Sequence, residues 1–281
     1  MTGVRTAPAG GTEGKEARMA FRVVAAVSCV AAAILAASAA GAVDIRVTGG
    51  YTRVAYGDYN TFADGVNAVI AADPTITGEL GAIRWIPEIG LEATVPVAAP
   101  FSLGAGAGVL WGSSSYEFSA GGSTLSFEHT VKAYPLTATV YADIPAPFAF
   151  AKPYAFAGGG AYYATVRFEE RLGGTGDVVG YDAELSAWGF GLHGGAGLSF
   201  AVAPRIGLDL GVRLRYAKIK GFEGTATSTE GETADVVLGY FEGGEGYMIY
   251  GPVRADEAAG TGEGAVDLGG FGVSLGLRVA F

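Results

Sequence analysis

The sequence predicts an all-β protein, an eight-stranded antiparallel transmembrane β-barrel with short turns at one end and long loops at the other. Three observations carry that expectation. Half of the 281 residues are hydrophobic but only 16% are charged, against about a quarter in an average soluble domain. Apolar residues alternate with small or polar ones at period two, over segments longer than the ~5–6 residues of soluble strands. No stretch after residue 43 approaches the ~20 continuous apolar residues of a membrane-spanning helix.

The first 42 residues read as an N-terminal extension and a cleavable signal peptide. Residues 1–18 are polar. Met19-Ala-Phe-Arg then leads into the apolar run Val23–Ala37 and the Ala-x-Ala sites at Ala37–Ala39 and Ala40–Ala42, the layout of a secretory signal. Either Met1 or Met19 can serve as the start. Cys29, the one cysteine, lies within this segment, so a disulfide framework and a multi-Cys zinc site are both excluded. Cleavage after Ala42 leaves residues 43–281 as a barrel domain with 14 basic and 26 acidic residues. That acidity excludes a nucleic-acid partner, which needs a basic face.

The alternation places strands at about 44–56, 80–96, 101–117, 129–143, 152–168, 184–202, 205–222 and 265–281. Each exceeds the ~9–11 residues that a tilted strand needs to cross a bilayer. In 205–222, Ile206, Leu208, Leu210, Val212 and Leu214 oppose Asp209, Arg213 and Arg215. In 83–95, Ile83, Trp85, Ile89 and Leu91 oppose Arg84, Glu88 and Glu92. The joins at 97–100, 144–151 and 203–204 are short and carry Pro, whereas those at 57–79, 118–128, 169–183 and 223–264 are longer and polar. Short turns on one side and long loops on the other fit a membrane barrel. Trp85, Trp111 and Trp188 fall on the apolar face near the long-loop ends, as an aromatic girdle requires. Phe101, Phe148, Phe150, Tyr154, Phe200 and Phe281 form the expected set at the other end.

Eight strands enclose a space that inward side chains can fill. The expected lumen charges are Arg84, Glu88, Glu92, Asp209, Arg213, Arg215 and Arg278, four arginines against three acids, with Gly and Ala inward near 104–112, 155–161, 189–197 and 270–276. In a wall of low dielectric these charges must pair. They form either an ion-pair plug or the constriction of a narrow solute path.

The last strand carries a resemblance. Phe271, Val273, Leu275, Leu277, Val279 and the terminal Phe281 alternate in Gly272-Val-Ser-Leu-Gly-Leu-Arg-Val-Ala-Phe281, which resembles the assembly signal of bacterial outer-membrane proteins. With the signal peptide and the strand count, the chain resembles the small OmpA/OmpX/OmpW-like β-barrel group. The resemblance implies an outer-membrane location, the barrel assembly machinery as a folding partner and a bilayer of outer-membrane lipids and lipopolysaccharide. It implies no activity, because fold alone does not fix function.

The loops are the expected working surface. Loop 223–264 holds nine acidic residues and one basic residue, Arg254. Within it, Asp235–Phe241 and Tyr247–Tyr250 read as a hairpin too short to span, available to an extracellular protein partner. Phe62, Val66, Val69 and Ile70 share a face at helical spacing in loop 57–79. Asp58, Asn60 and Asp64 form only half of a calcium loop, so no metal is expected. Ser126, Glu128 and His129 supply the residue types of a hydrolase but no family motif, and no phosphate loop or cofactor motif is present. The expectation is a non-enzymatic protein with a structural or surface-interaction role, its alternative a channel for small solutes or hydrophobic compounds.

Overall fold

The structure, a computed structural model, describes residues 43–145, 150–174, 178–242, 248–258 and 261–281. The expected signal segment and Phe148 lie outside them. Strand β1 (Asp44–Val54) leads into helix α1 (Gly57–Ala72). Then come β2 (Trp85–Ala98), β3 (Phe101–Ala120), β4 (Ser123–Asp143), β5 (Ala151–Gly173), β6 (Val179–Ala203) and β7 (Ile206–Ile219). Five shorter strands follow: β8 (Glu223–Ser228), β9 (Thr233–Glu242), β10 (Met248–Arg254), β11 (Gly262–Glu263) and β12 (Val266–Asp267). The last strand is β13 (Gly270–Ala280).

Strands β1 to β7 and β13 form a ring in which every neighbouring pair is antiparallel. The ring closes where β1 pairs β13, from Asp44 opposite Ala280 to Val54 opposite Gly270. Closure leaves the spanning segments no unpaired edge, which a bilayer does not tolerate. Among the described residues no helix is long and apolar enough to cross a membrane; the strands cross instead. Hairpin β9–β10 stays outside the ring.

Two expected loops are strands. Residues 118–128 are the end of β3, the start of β4 and a two-residue turn at Gly121-Gly122, and 169–183 is mostly β5 and β6. Both turn glycines have positive φ, 59° and 86°, as the tight turn of a twisted hairpin demands. The reason for the difference is physical. Above Trp111 and Lys132 the outward residues turn polar, so the alternation loses its apolar outer half. The hydrogen-bond ladder needs no apolar outer face, and the inner face stays apolar with Phe127, Phe168 and Leu185. Strands β3 to β6 therefore stand beyond the membrane band as a wall, widened by β8 on β6 and by β9 and β10.

Helix α1 packs inside this wall. Tyr59, Phe62 and Ala63 are buried. Asn60 and Asn67, two turns apart on the helix, each clamp the backbone of the extended segment beside it. Asn60 bonds the N–H and carbonyl of Ile83 at 3.0 and 3.1 Å, and Asn67 those of Leu80 at 2.8 and 2.9 Å. Tyr56 precedes the helix with φ 39° and ψ 47°, a left-handed conformation uncommon for a bulky residue. It is held by full burial and by its N–H donating to the Asp267 carbonyl at 3.0 Å.

Candidate functional site

The band between the aromatic borders is apolar outside and charged inside, because each strand puts alternate residues on its two faces. On the outside lie Leu91, Leu103, Leu192, Leu208, Leu210, Val212 and Leu214, all exposed. At the long-loop border Trp85 is 54% and Trp111 37% exposed. Trp188 is half-buried against Tyr163, ring centroids 5.2 Å apart. Phe101, Phe150 and Phe281 are exposed at the other border. Tyr154 departs from expectation. It points into the barrel, because the inward residues of β5 are its even-numbered ones, Tyr154, Phe156 and Tyr162, while Ala155, Ala157 and Ala161 face out. On β13 and beyond it, Phe271, Val273, Leu275, Leu277 and Phe281 are exposed on the outer face. Val279, of the same parity, is partly exposed.

Inside, charges meet in three tiers. Nearest the turns, Arg278 pairs with Asp44 at 3.3 Å and donates to the Ser199 hydroxyl at 2.8 Å. In the middle, Arg46 Nε lies 2.7 Å from Asp209 and its Nη1 lies 4.0 Å from Glu92. The Tyr141 hydroxyl donates to Glu92, and the Arg46 guanidinium lies over the rings of Tyr141 and Tyr154, 4.7 and 5.3 Å from their centroids. Higher still, Glu88 accepts from Arg215, from Arg213 at 3.3 Å and from Thr52 at 3.2 Å. His193 Nε2 lies 3.1 Å from the Thr139 hydroxyl beside this tier. A cavity of about 50 Å³ remains, lined in part by Glu88, Glu92, His193, Arg213 and Arg215.

Six of the seven expected lumen charges, Glu88, Glu92, Asp209, Arg213, Arg215 and Arg278, take part. Arg84 does not: it precedes the first ladder pair of β2, so strand parity does not govern it. It lies outside, 59% exposed and 3.9 Å from Asp64. Arg46 and Asp44 were missed, although Arg46 alternates with Ile45 and Val47 in β1 and the same parity rule finds it. With them, four arginines face four carboxylates. Glycines make the room: a Cβ on Gly197 would lie 2.5 Å from the Tyr154 ring. Gly197→Val is therefore expected to cost about 1–3 kcal/mol, read as a lower urea midpoint for loss of the compact, heat-modifiable gel band.

Above the charges the interior becomes an apolar core that closes the mouth. Ile86, Leu110, Tyr162, Leu185, Ile219, Phe222 and Leu268 are all fully buried. At its top, beyond the Trp border, His129 is fully buried. Its Nε2 lies 2.6 Å from the Tyr56 hydroxyl. The rings of Tyr59 and Phe168 lie 4.5 and 4.6 Å away, and Tyr250 of β10 stands edge-on at 6.0 Å. Burial holds the imidazole down at about 3, far below its ordinary 6.5, and raises the Tyr59 hydroxyl to about 12. Ser126 and Glu128 have the opposite parity from His129 and lie on the outer face, so these three do not converge. Asp58 accepts from the Ala265 N–H at 3.1 Å, Asn60 is engaged as above, and Asp64 lies apart beside Arg84, so the half calcium loop is not assembled.

A family model described as "Outer membrane protein beta-barrel domain" matches residues 23–241. None of the curated proteins matches the chain. Solved structures similar to it include a major outer membrane protein of Thermus thermophilus, at 13% identity and TM-score 0.45, covering 86% of this chain and all of that one. The outer membrane protein OprG of Pseudomonas aeruginosa is also 13% identical, with TM-score 0.38 over 85% of this chain and 95% of its own. Ail, the attachment invasion locus protein of Yersinia pestis, is 12% identical, with TM-score 0.32 over 85% and 98%.

Proposed function

This chain belongs to the outer membrane protein β-barrel family, and from that premise we propose that it is a closed barrel presenting an extracellular wall to a protein partner. The wall carries the reading. Strands β3 to β6 run past the Trp border while their outward residues change from Leu and Trp to Ser113, Ser115, Glu117, Glu128, Glu169 and Glu184. A channel needs no such structure. The wall is stiffened from within by α1 and the buried aromatic residues, so it offers a pre-organised surface, which lowers the entropic cost of association. Glu169 is paired with Arg167 at 2.6 Å, while Glu117, Glu128 and Glu184 suit a basic partner surface; among the described residues β10 ends the sheet, an edge suited to strand addition.

The paired charges and the apolar core above them support a lumen that does not conduct. Single-channel recording of the refolded barrel, residues 43–281, in a planar bilayer tests this. Silence, with folding shown by the heat-modifiable band, is the expected result. Steady openings whose ion selectivity changes in Arg213→Ala would replace the display reading with lumenal transport.

A further inference from the structure

We propose that a cavity at the extracellular rim, between β1, β2 and β13, seats the phosphate of an outer-leaflet lipid headgroup, with Arg53 and Arg84 as its cations. The cavity measures about 400 Å³ and is lined by Arg53, Arg84, Asn60 and Phe271, with the backbone of Gly269 and Gly270. Arg53 belongs to the outward set of β1, with Val47 and Tyr51. In the sheet register it stands directly between Trp85 of β2 and Phe271 of β13. Both rings are exposed on the lipid-facing side, so the guanidinium sits at the aromatic border, where headgroups begin.

No carboxylate pairs with Arg53 among the described residues. Among the described residues Arg84 pairs only with Asp64, at 3.9 Å, with both side chains well exposed, a pair worth little in water. A guanidinium at the edge of the hydrocarbon gains most from a fixed anion that it can meet with two N–H groups, and phosphate offers that geometry. The Asn60 amide is already bonded to the carbonyls of Ala55 and Ile83, at 2.9 and 3.1 Å, so recognition falls to the two cations. The aromatic rings on either side of Arg53 favour a phosphate tethered to a lipid over one free in solution. The lumen charges play no part, since Arg53 and Arg84 lie on the other side of the barrel wall.

Native mass spectrometry of the folded protein in detergent tests the site, titrated with bis-phosphorylated lipid A and with its dephosphorylated form. Phosphorylated lipid is expected to stay bound, and R53Q/R84Q to weaken it by about tenfold or more, as loss of charge-assisted contacts implies. The control R205Q/R254Q removes the same charge at exposed positions elsewhere and is expected to bind as the parent does. The heat-modifiable band confirms that each variant is folded. Equal binding by R53Q/R84Q, or equal binding of dephosphorylated lipid, would overturn the site. Displacement of the lipid by an equal concentration of inorganic phosphate would overturn the lipid as its source.

Discussion

Glu88→Ala is expected to destabilise the folded barrel by about 3–5 kcal/mol, the range for breaking a buried ion pair from one side. Glu88 is the shared acceptor of Arg213, Arg215 and Thr52. Its removal strands Arg215, whose side chain is 3% exposed and which pairs, among the described residues, with Glu88 alone. Net attraction is not the main term, since a buried pair roughly offsets its own desolvation. The loss comes from leaving one charge buried without a partner. Glu88→Gln, which keeps an acceptor oxygen, is expected to cost less. The double variant E88A/R215M is expected to recover part of the loss, because it removes the stranded charge along with its partner. The urea midpoint of the heat-modifiable band in lipid micelles measures all three. Equal midpoints for Glu88→Ala and the parent would mean that the lumen network does not hold the barrel together.

Acidification is expected to loosen the mouth through His129. Folded, the imidazole stays neutral down to about 3; its ordinary value is 6.5. The unfolded chain therefore takes up a proton that the folded chain refuses, and stability falls as pH drops below the ordinary value. Above about 6.5 the residue contributes no pH dependence; the loss grows between there and about 3 and then levels off. At pH 4.5 it is on the order of 2–3 kcal/mol, from about two units at 1.36 kcal/mol each. The groups facing the ring are the hydroxyl of Tyr56 and the rings of Tyr59, Tyr250, Phe127 and Phe168. No carboxylate stands among them to stabilise an imidazolium. Because α1 and β10 supply part of this cage, the cap is the element expected to open first. Protease cleavage within the cap, followed from pH 7.5 to 4.5, reads the effect. His129→Phe removes the hydrogen bond between the imidazole and the Tyr56 hydroxyl and costs about 1–3 kcal/mol at every pH. It should nonetheless flatten the slope, and an unchanged slope would assign the pH response to other groups.

The sequence carried the barrel because the bilayer imposes a regular pattern on it. Lipid on one side and a filled lumen on the other force alternation at period two, and the hydrocarbon thickness sets the strand length. The same parity found six lumen charges and the three Trp. It failed at Arg84, which lies one residue before its strand begins, and at Tyr154, where small residues on the lipid side of β5 concealed which face pointed inward.

Two features had no local signature. The wall was invisible because outside the membrane the outward residues no longer answer to lipid, and pairing there depends on backbone bonds to neighbouring strands. The closed mouth was invisible because it joins Tyr59 of α1, His129 of β4, Phe168 of β5 and Tyr250 of β10, residues far apart in the chain. Within strands whose outer face is plainly apolar, the sequence alone determined which residues meet lipid and which meet the lumen, since a strand's alternation is a local property. Only the tertiary structure decided how the lumen charges pair, which residues seal the mouth and where Arg53 and Arg84 share a cavity, because each depends on register around a closed ring.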